Sequence, residues 1–190
     1  MKHMNPLELP LPHRLVLAML GAAKATPVPR KLWLQKELFY LARDKDKMRE
    51  TLEFIPYLQG PWSEPTEQAM DDLRSIGLVS FDPKYGANLC LTDDGQEAYT
   101  KLAHAMPETL LNEVNEVKGL MNDLTENELL LLVYETYPSM TDRSVVKEKA
   151  IVNRVEYAKR LFKKDKVSLE RAAELAAVSL REFRKVALAA

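Results

Sequence analysis

Apolar residues recur at spacings of three and four along most of this chain, which is the periodicity of amphipathic α-helices. The clearest example lies between Ser63, a residue type that caps helix N-termini, and Gly77, a residue type that ends helices. Pro65 falls in the first turn, where a missing N–H costs nothing. One apolar face is formed by Ala69, Met70, Leu73 and Ile76. The pattern therefore predicts a helix between Ser63 and Gly77.

The pattern changes to that of short β-strands directly after this helix. Residues 78–81 (LVSF) and 89–91 (LCL) are predominantly apolar, and residues 82–88 (DPKYGAN) have the composition of a turn. Thr92 is positioned to cap a further helix that runs to about Ala105. This order predicts helix, hairpin and helix.

The same periodicity predicts helices elsewhere. Residues 44–50 (DKDKMRE) are a charged run, expected as an exposed loop or a helix end. The apolar run at 129–133, behind the cap-like Thr125, indicates a helix that is buried or lies in a dimer contact. The other predicted helices cover 13–24, 30–44, 109–121 and, as one basic helix, 142–165.

These elements predict a mainly α protein with one small β-hairpin. Residues 13–106 are expected to form a winged-helix domain and residues 107–141 a helical middle. Residues 142–190 are expected to form a basic helical segment that ends in a helix-turn-helix.

The helix before a winged-helix hairpin is the usual reader of the DNA major groove, but here it is acidic. Its charged residues are Glu64, Glu67, Asp71, Asp72 and Arg74, a net charge of −3. DNA binding depends largely on Lys and Arg neutralising phosphates, so this helix is a poor DNA probe.

Two short motifs carry a family resemblance. The helix at 30–41 (RKLWLQKELFYL) and the segment at 56–63 (PYLQGPWS), with its Gly60-Pro61 turn, resemble the Panacea (SocA-like, YwgA-like) antitoxin domain. The resemblance implies a regulatory or toxin-neutralising role through protein contacts.

Charge is distributed unevenly along the chain, although the net charge is only −1. Residues 1–142 contain 14 Lys and Arg against 22 Asp and Glu, a net −8. Residues 143–190 contain 13 against 6, a net +7. The basic part is expected to meet an anion, or an acidic surface of its own fold or of a partner; the alternative is a solvated basic face.

Residues 167–186 have the capping and turn residues of a helix-turn-helix. Ser168 and Ser179 would cap two short helices, Ala173 is the small residue at their crossing, and Ala177 takes the turn position usually held by glycine. Val178, Phe183 and Val186 are expected to face inward. The stretch resembles the C-terminal element of the antitoxin-like UPF0175 proteins, with Ala177 as the departure, because alanine resists positive φ.

If this helical pair binds DNA, we expect its second helix and the nearby cations to contact the DNA. The predicted DNA-contacting residues are Lys163, Lys164, Arg171, Ser179, Arg181, Arg184 and Lys185. Two alternatives stay open: the helical pair docks a partner helix or a second copy, or it is a plain structural cap.

Nothing in the sequence indicates catalysis, a metal or a cofactor. His3, His13 and His104 lack metal-ligand spacing, and Cys90 stands without a CxxC motif. The single cysteine, the absence of a visible signal peptide and the absence of a membrane-spanning run predict a cytoplasmic protein without membrane contact.

The sequence therefore predicts a prokaryotic DNA-binding transcriptional regulator of antitoxin-like character, and not an enzyme. Its expected partners are DNA and a protein partner or a second copy. The alternative is an interaction adaptor that neutralises a toxin without binding nucleic acid.

Overall fold

The structure is a computed structural model that describes residues 5–82 and 88–188. Over these residues it is mainly helical, which confirms the predicted class, with two small two-stranded sheets. Short 3-10 helices lie at Pro6–Glu8 and Pro138–Thr141. The described α-helices are α1 Leu11–Ala25, α2 Lys31–Ala42, α3 Asp46–Leu52, α4 Glu64–Ser75, α5 Asp93–Ala105, α6 Glu108–Met121, α7 Glu126–Thr136, α8 Lys147–Ile151, α9 Arg154–Lys163, α10 Leu169–Ala176 and α11 Leu180–Leu188. The strands are β1 Ile55–Tyr57, β2 Gly60–Trp62, β3 Val79–Asp82 and β4 Asn88–Leu91.

The chain divides into two compact units. The first comprises residues 5–54 and 62–122, and the second comprises residues 55–61 and 123–188, within the described part of the chain. The predicted divisions at residues 106 and 141 do not coincide with this one. Residues 107–122 belong to the first unit because α6 packs against α1 and α2. Residues 123–141 belong to the second because α7 packs against α8, α9 and α10.

Helix α1 is the centre of the first unit. It packs against α2, α4, α5, α6 and β4, and its residues from Leu15 to Leu20 are at most 1% exposed. The predicted cap is present at α4, where Ser63 Oγ accepts a hydrogen bond from the Thr66 N–H, 3.1 Å. Gly77, with a φ of +81°, follows that helix as expected.

The predicted hairpin is present as β3 and β4, which pair antiparallel with Val79 opposite Leu91. Leu89 also exchanges both backbone hydrogen bonds with Val28, at 2.8 and 3.0 Å, which ties the α1–α2 connection to the hairpin. Residues 83–87 of the predicted turn lie outside the described part of the chain.

The second unit has α7 at its centre. Leu129 through Tyr134 are all at most 4% exposed, which confirms the buried helix predicted from the apolar run. A capping box at Thr125 and Glu128 begins the helix, as the sequence indicated.

The prediction of a single basic helix at 142–165 was wrong. This segment contains two helices, α8 and α9, interrupted at Val152 and Asn153, whose helix propensities are low. Gly60 and Pro61 lie in β2, directly after the tight turn that joins it to β1, and Gly60 has a positive φ of +85°, as a turn glycine requires. The charged run at 44–50 is largely exposed, as predicted, and contributes most of α3, whose Leu52 is fully buried.

Among its described residues, the first unit buries three ionisable side chains. Lys36, Glu37 and Lys118 are at most 1% exposed, and the Lys118 ammonium group donates to the carbonyl oxygens of Leu20 and Ala22, at 2.9 and 3.1 Å. Burial raises the pKa of Glu37 and lowers the pKa of Lys118. Burial also lowers the pKa of Lys36 to about 7. The core of this unit therefore contains groups that titrate near neutral pH.

The pKa of Lys36 predicts a pH-dependent stability. Because this pKa falls from 10.5 to about 7 on folding, the unfolded chain binds more protons between these values, and the free energy of unfolding rises with pH across that window. Lys36→Met should remove this rise, so the stability difference between variant and native chain changes by up to about 4 kcal/mol between about pH 6 and pH 10. Urea denaturation at both pH values measures it. Lys24→Met, at an exposed lysine, is the matched control and should keep the pH profile of the native chain. Identical pH profiles of stability for the native chain and Lys36→Met would refute the lowered pKa of Lys36.

Candidate nucleic-acid interface

The predicted helical pair near the carboxyl end is present as α10 and α11, joined by residues 177–179. Both helices pack against α9. Ser168 begins α10, since its Oγ accepts a hydrogen bond from the Arg171 N–H, 3.1 Å. The short α10 places apolar side chains inward: Ala172, Ala173, Leu175 and Ala176 are at most 4% exposed.

Ala177 ends α10 in the left-handed conformation, with φ +52° and ψ +43°. This is the position where the sequence pattern indicated a glycine-like turn. The Ala177 N–H bonds to the Glu174 carbonyl oxygen, 2.9 Å, and the Val178 N–H to the Ala173 carbonyl oxygen, 3.2 Å. The chain thus turns within three residues despite the steric cost of a Cβ at positive φ.

Ser179 begins α11 through a reciprocal capping box. Its Oγ accepts from the Glu182 N–H, 3.2 Å, and its own N–H donates to the Glu182 carboxylate, 2.9 Å. The Ser179 hydroxyl and backbone both lower the pKa of Glu182 by stabilising its charged form. The Ser179 side chain, one of the predicted DNA contacts, therefore also holds the start of α11.

Phe183 anchors α11 to α9. Its side chain is 0% exposed, and its ring meets that of Phe162 edge to face, with centroids 6.3 Å apart and planes at 83°. The predicted inward position of Val186 was wrong, because this side chain is 37% exposed. Phe183 is thus the buried side chain that fixes how α11 is rotated about its axis.

The opposite face of α11 is basic. At about 100° per residue, Arg181, Arg184 and Lys185 fall within about 100° of arc, centred about 150° from Phe183. All three are exposed, and among the described residues none of them has an ion pair or a side-chain hydrogen bond. We call these three residues the basic stripe. Lys163 at the end of α9 is also exposed and has no ion pair in the described part of the chain.

Two other predicted DNA contacts, Arg171 and Lys164, form hydrogen bonds within the second unit. Arg171 donates to Glu174, 2.7 Å, and to the Thr136 hydroxyl, 2.6 Å. Lys164 donates to the buried carboxylate of Glu128, 2.8 Å, and to the Asp123 carbonyl oxygen. These cations stabilise the second unit, so they contribute less positive potential to the surface than their charge alone suggests.

Two leucines on the same side of α11 were missed by sequence reasoning. Leu180 is 39% exposed and Leu188 is 78% exposed. Their spacing of eight residues places them beside the basic stripe on a helical wheel, which is the signal that could have identified them. The solvent-facing surface of α11 therefore combines cations with exposed apolar side chains.

The acidic helix α4 has its charges partly neutralised within the first unit. Lys31 forms an ion pair with Glu67 and lies 3.5 Å from Asp71. His13 contacts Asp72, 3.1 Å, and the Arg74 guanidinium group stacks over the Phe81 ring. Arg74, the one cation of α4, is exposed but stands against four acidic residues of the same helix, so the surface of α4 stays acidic.

Comparisons with protein-family models, curated proteins and solved structures gave no match. No helix in the described ranges combines the length and apolar character needed to cross a membrane.

The left-handed Ala177 predicts a stabilising substitution. Ala177→Gly should raise the opening free energy of α10 and α11 by about 0.5–1 kcal/mol, because glycine adopts positive φ without the Cβ clash. Hydrogen exchange of the α10 and α11 amides measures this local stability. Ala158→Gly, at a buried position inside helix α9, provides the opposite case and should lower stability by about 1 kcal/mol or more, because glycine there loses helix propensity and leaves a small void. A loss of protection in Ala177→Gly would show that the turn conformation is misassigned.

Proposed function

We propose that this protein is a prokaryotic DNA-binding transcriptional regulator of antitoxin type, with α10 and α11 as its helix-turn-helix. The basic stripe on α11 is the observation that carries the proposal: three exposed cations without ion pairs in the described part of the chain, on a helix held by a buried phenylalanine. In helix-turn-helix proteins the second helix enters the major groove.

The assignment of roles follows from which cations are available. Arg181, Arg184 and Lys185 meet phosphates or base edges, and Arg is suited to bidentate contacts with guanine. Lys163 at the end of α9 meets the backbone. Arg171, Lys164 and Ser179 hold the helices in place.

We propose that the first unit is a winged-helix-like domain, in which α4 precedes the hairpin and α5 follows it. We propose that it acts through protein contacts and not through DNA. The acidic character of α4 supports this reading, as does the resemblance of residues 30–41 to the Panacea domain. The other segment of that resemblance, residues 56–63, lies mostly in the second unit.

The alternative function is an adaptor that neutralises a toxin without binding nucleic acid. Exposed apolar side chains in the second unit favour it: Ile55, Tyr57, Leu58 and Val145 are 42–72% exposed. The Val145 N–H donates to the Leu58 carbonyl oxygen, 3.0 Å, so these two lie close together. Exposed apolar clusters of this kind mark protein-binding surfaces. The adaptor reading predicts a stable protein partner recovered from the source cell and no affinity for DNA.

A salt titration tests the DNA-binding proposal. Each phosphate neutralised adds about 0.9 to the slope of log affinity against log salt concentration. Arg181→Ala combined with Arg184→Ala should therefore weaken binding to a labelled mixed-sequence duplex and reduce the slope by up to about 2. Fluorescence anisotropy at about 50–300 mM KCl measures both quantities.

The matched control removes two exposed charges from the first unit. Lys47→Ala combined with Lys101→Ala changes the net charge equally and should leave the slope unchanged. If the native chain has no salt-dependent affinity, or if both double variants lower the slope alike, the proposal is rejected.

A further inference from the structure

The first unit contains an apolar pocket with one charged residue in its wall. The pocket has a volume of about 210 Å³ and lies where the first turns of α1 meet the end of α5 and the start of α6. Its wall includes Leu11, Leu15, Leu102, Met106, Leu110 and Arg14. Among the residues that the structure describes, none that lines the pocket is acidic.

Arg14 is the unusual member of this wall. Its Nε atom is shielded from solvent and has no hydrogen-bond partner, and among the described residues its guanidinium group forms no ion pair. The arginine side chain stays charged at all accessible pH values. The Nε atom is closed to the pocket as well as to bulk water, but Arg14 as a whole is only half-buried, so other atoms of its side chain are accessible. A cation without an acid beside it is a suitable partner for a carboxylate.

A larger groove of about 640 Å³ in the same unit provides a contrast. It is lined by residues of α2, of α6 and of the connection between α2 and α3. Its cations Arg43 and Lys45 lie 2.8 Å from the Asp44 carboxylate and 2.6 Å from the Glu113 carboxylate, so each has an acid beside it. The smaller pocket has the cation but not the acid.

We propose that this pocket binds a small carboxylate with an aromatic or branched apolar body. The apolar body occupies the space between the leucines, and the carboxylate accepts hydrogen bonds from Arg14. The volume fits this class, since an apolar cavity of about 150 Å³ holds a benzene ring and the remaining space suits a short acid group. The inference does not depend on DNA binding.

Calorimetric titration of the full chain with phenylacetate and with its neutral isostere phenylacetamide tests the proposal. Phenylacetate should bind at least about tenfold more tightly, because only the carboxylate forms a charge-assisted pair with Arg14. In Arg14→Met the two probes should bind equally. Arg49→Met, at an exposed arginine outside the pocket, should keep the native ratio.

Nuclear Overhauser contacts between the phenylacetate ring and the Met106 methyl group locate the site without a variant. Equal affinities for the native chain, a ratio that survives Arg14→Met, or binding without a Met106 contact would each overturn the proposal. A tripeptide with a carboxyl-terminal phenylalanine carries the same aromatic ring and carboxylate at the end of a peptide chain. Tighter binding of this tripeptide than of phenylacetate would overturn the small-molecule assignment.

Discussion

The packing of the buried Phe183 ring of α11 against α9 is the interaction on which the rest of the candidate interface depends. Side-chain directions in a helix are fixed relative to one another at about 100° per residue, so one buried anchor determines what the other faces present. With Phe183 fully buried against Phe162, Arg181, Arg184 and Lys185 must face solvent. Phe183 is the one residue described as buried in α11, so the orientation of the helix is set by this contact together with the cap at Ser179.

The second unit uses its cations in two ways. Acidic residues engage Arg154, Lys164 and Lys166, through Glu135, Glu128 and Asp123, at 2.6–2.9 Å. Such pairs hold α9 and its flanking residues to α7 and to the segment before it. Fewer cations in residues 143–190 are therefore available to bind an anion than the net charge of this region suggests. Arg181, Arg184 and Lys185 on α11 and Lys163 on α9 are exposed cations of this unit that have no ion pair among the described residues, and so are Arg143, Lys147 and Lys149 in and before α8. The basic stripe differs from this second group in that its three cations share one face of a single helix.

Local chemistry was predictable from the sequence wherever the cause lies within a few residues. The caps at Ser63, Thr125 and Ser168 follow from short-range hydrogen bonds, and the left-handed Ala177 follows from the turn pattern around it. Features set by distant residues were not predictable. The pairing of β1 with β2 and the division of the chain after residue 122 depend on long-range packing. The burial of Lys36, Glu37 and Lys118 runs against their polarity, so hydrophobic periodicity does not reveal it.

The most direct test of this account follows the backbone amide signals of the full chain by NMR during titration with a mixed-sequence DNA duplex. The account predicts that the largest shift changes fall on residues 179–185 and that they fade as KCl is raised from about 0.05 to 0.3 M. Changes centred on α4, or no change in α11 at low salt, would contradict it.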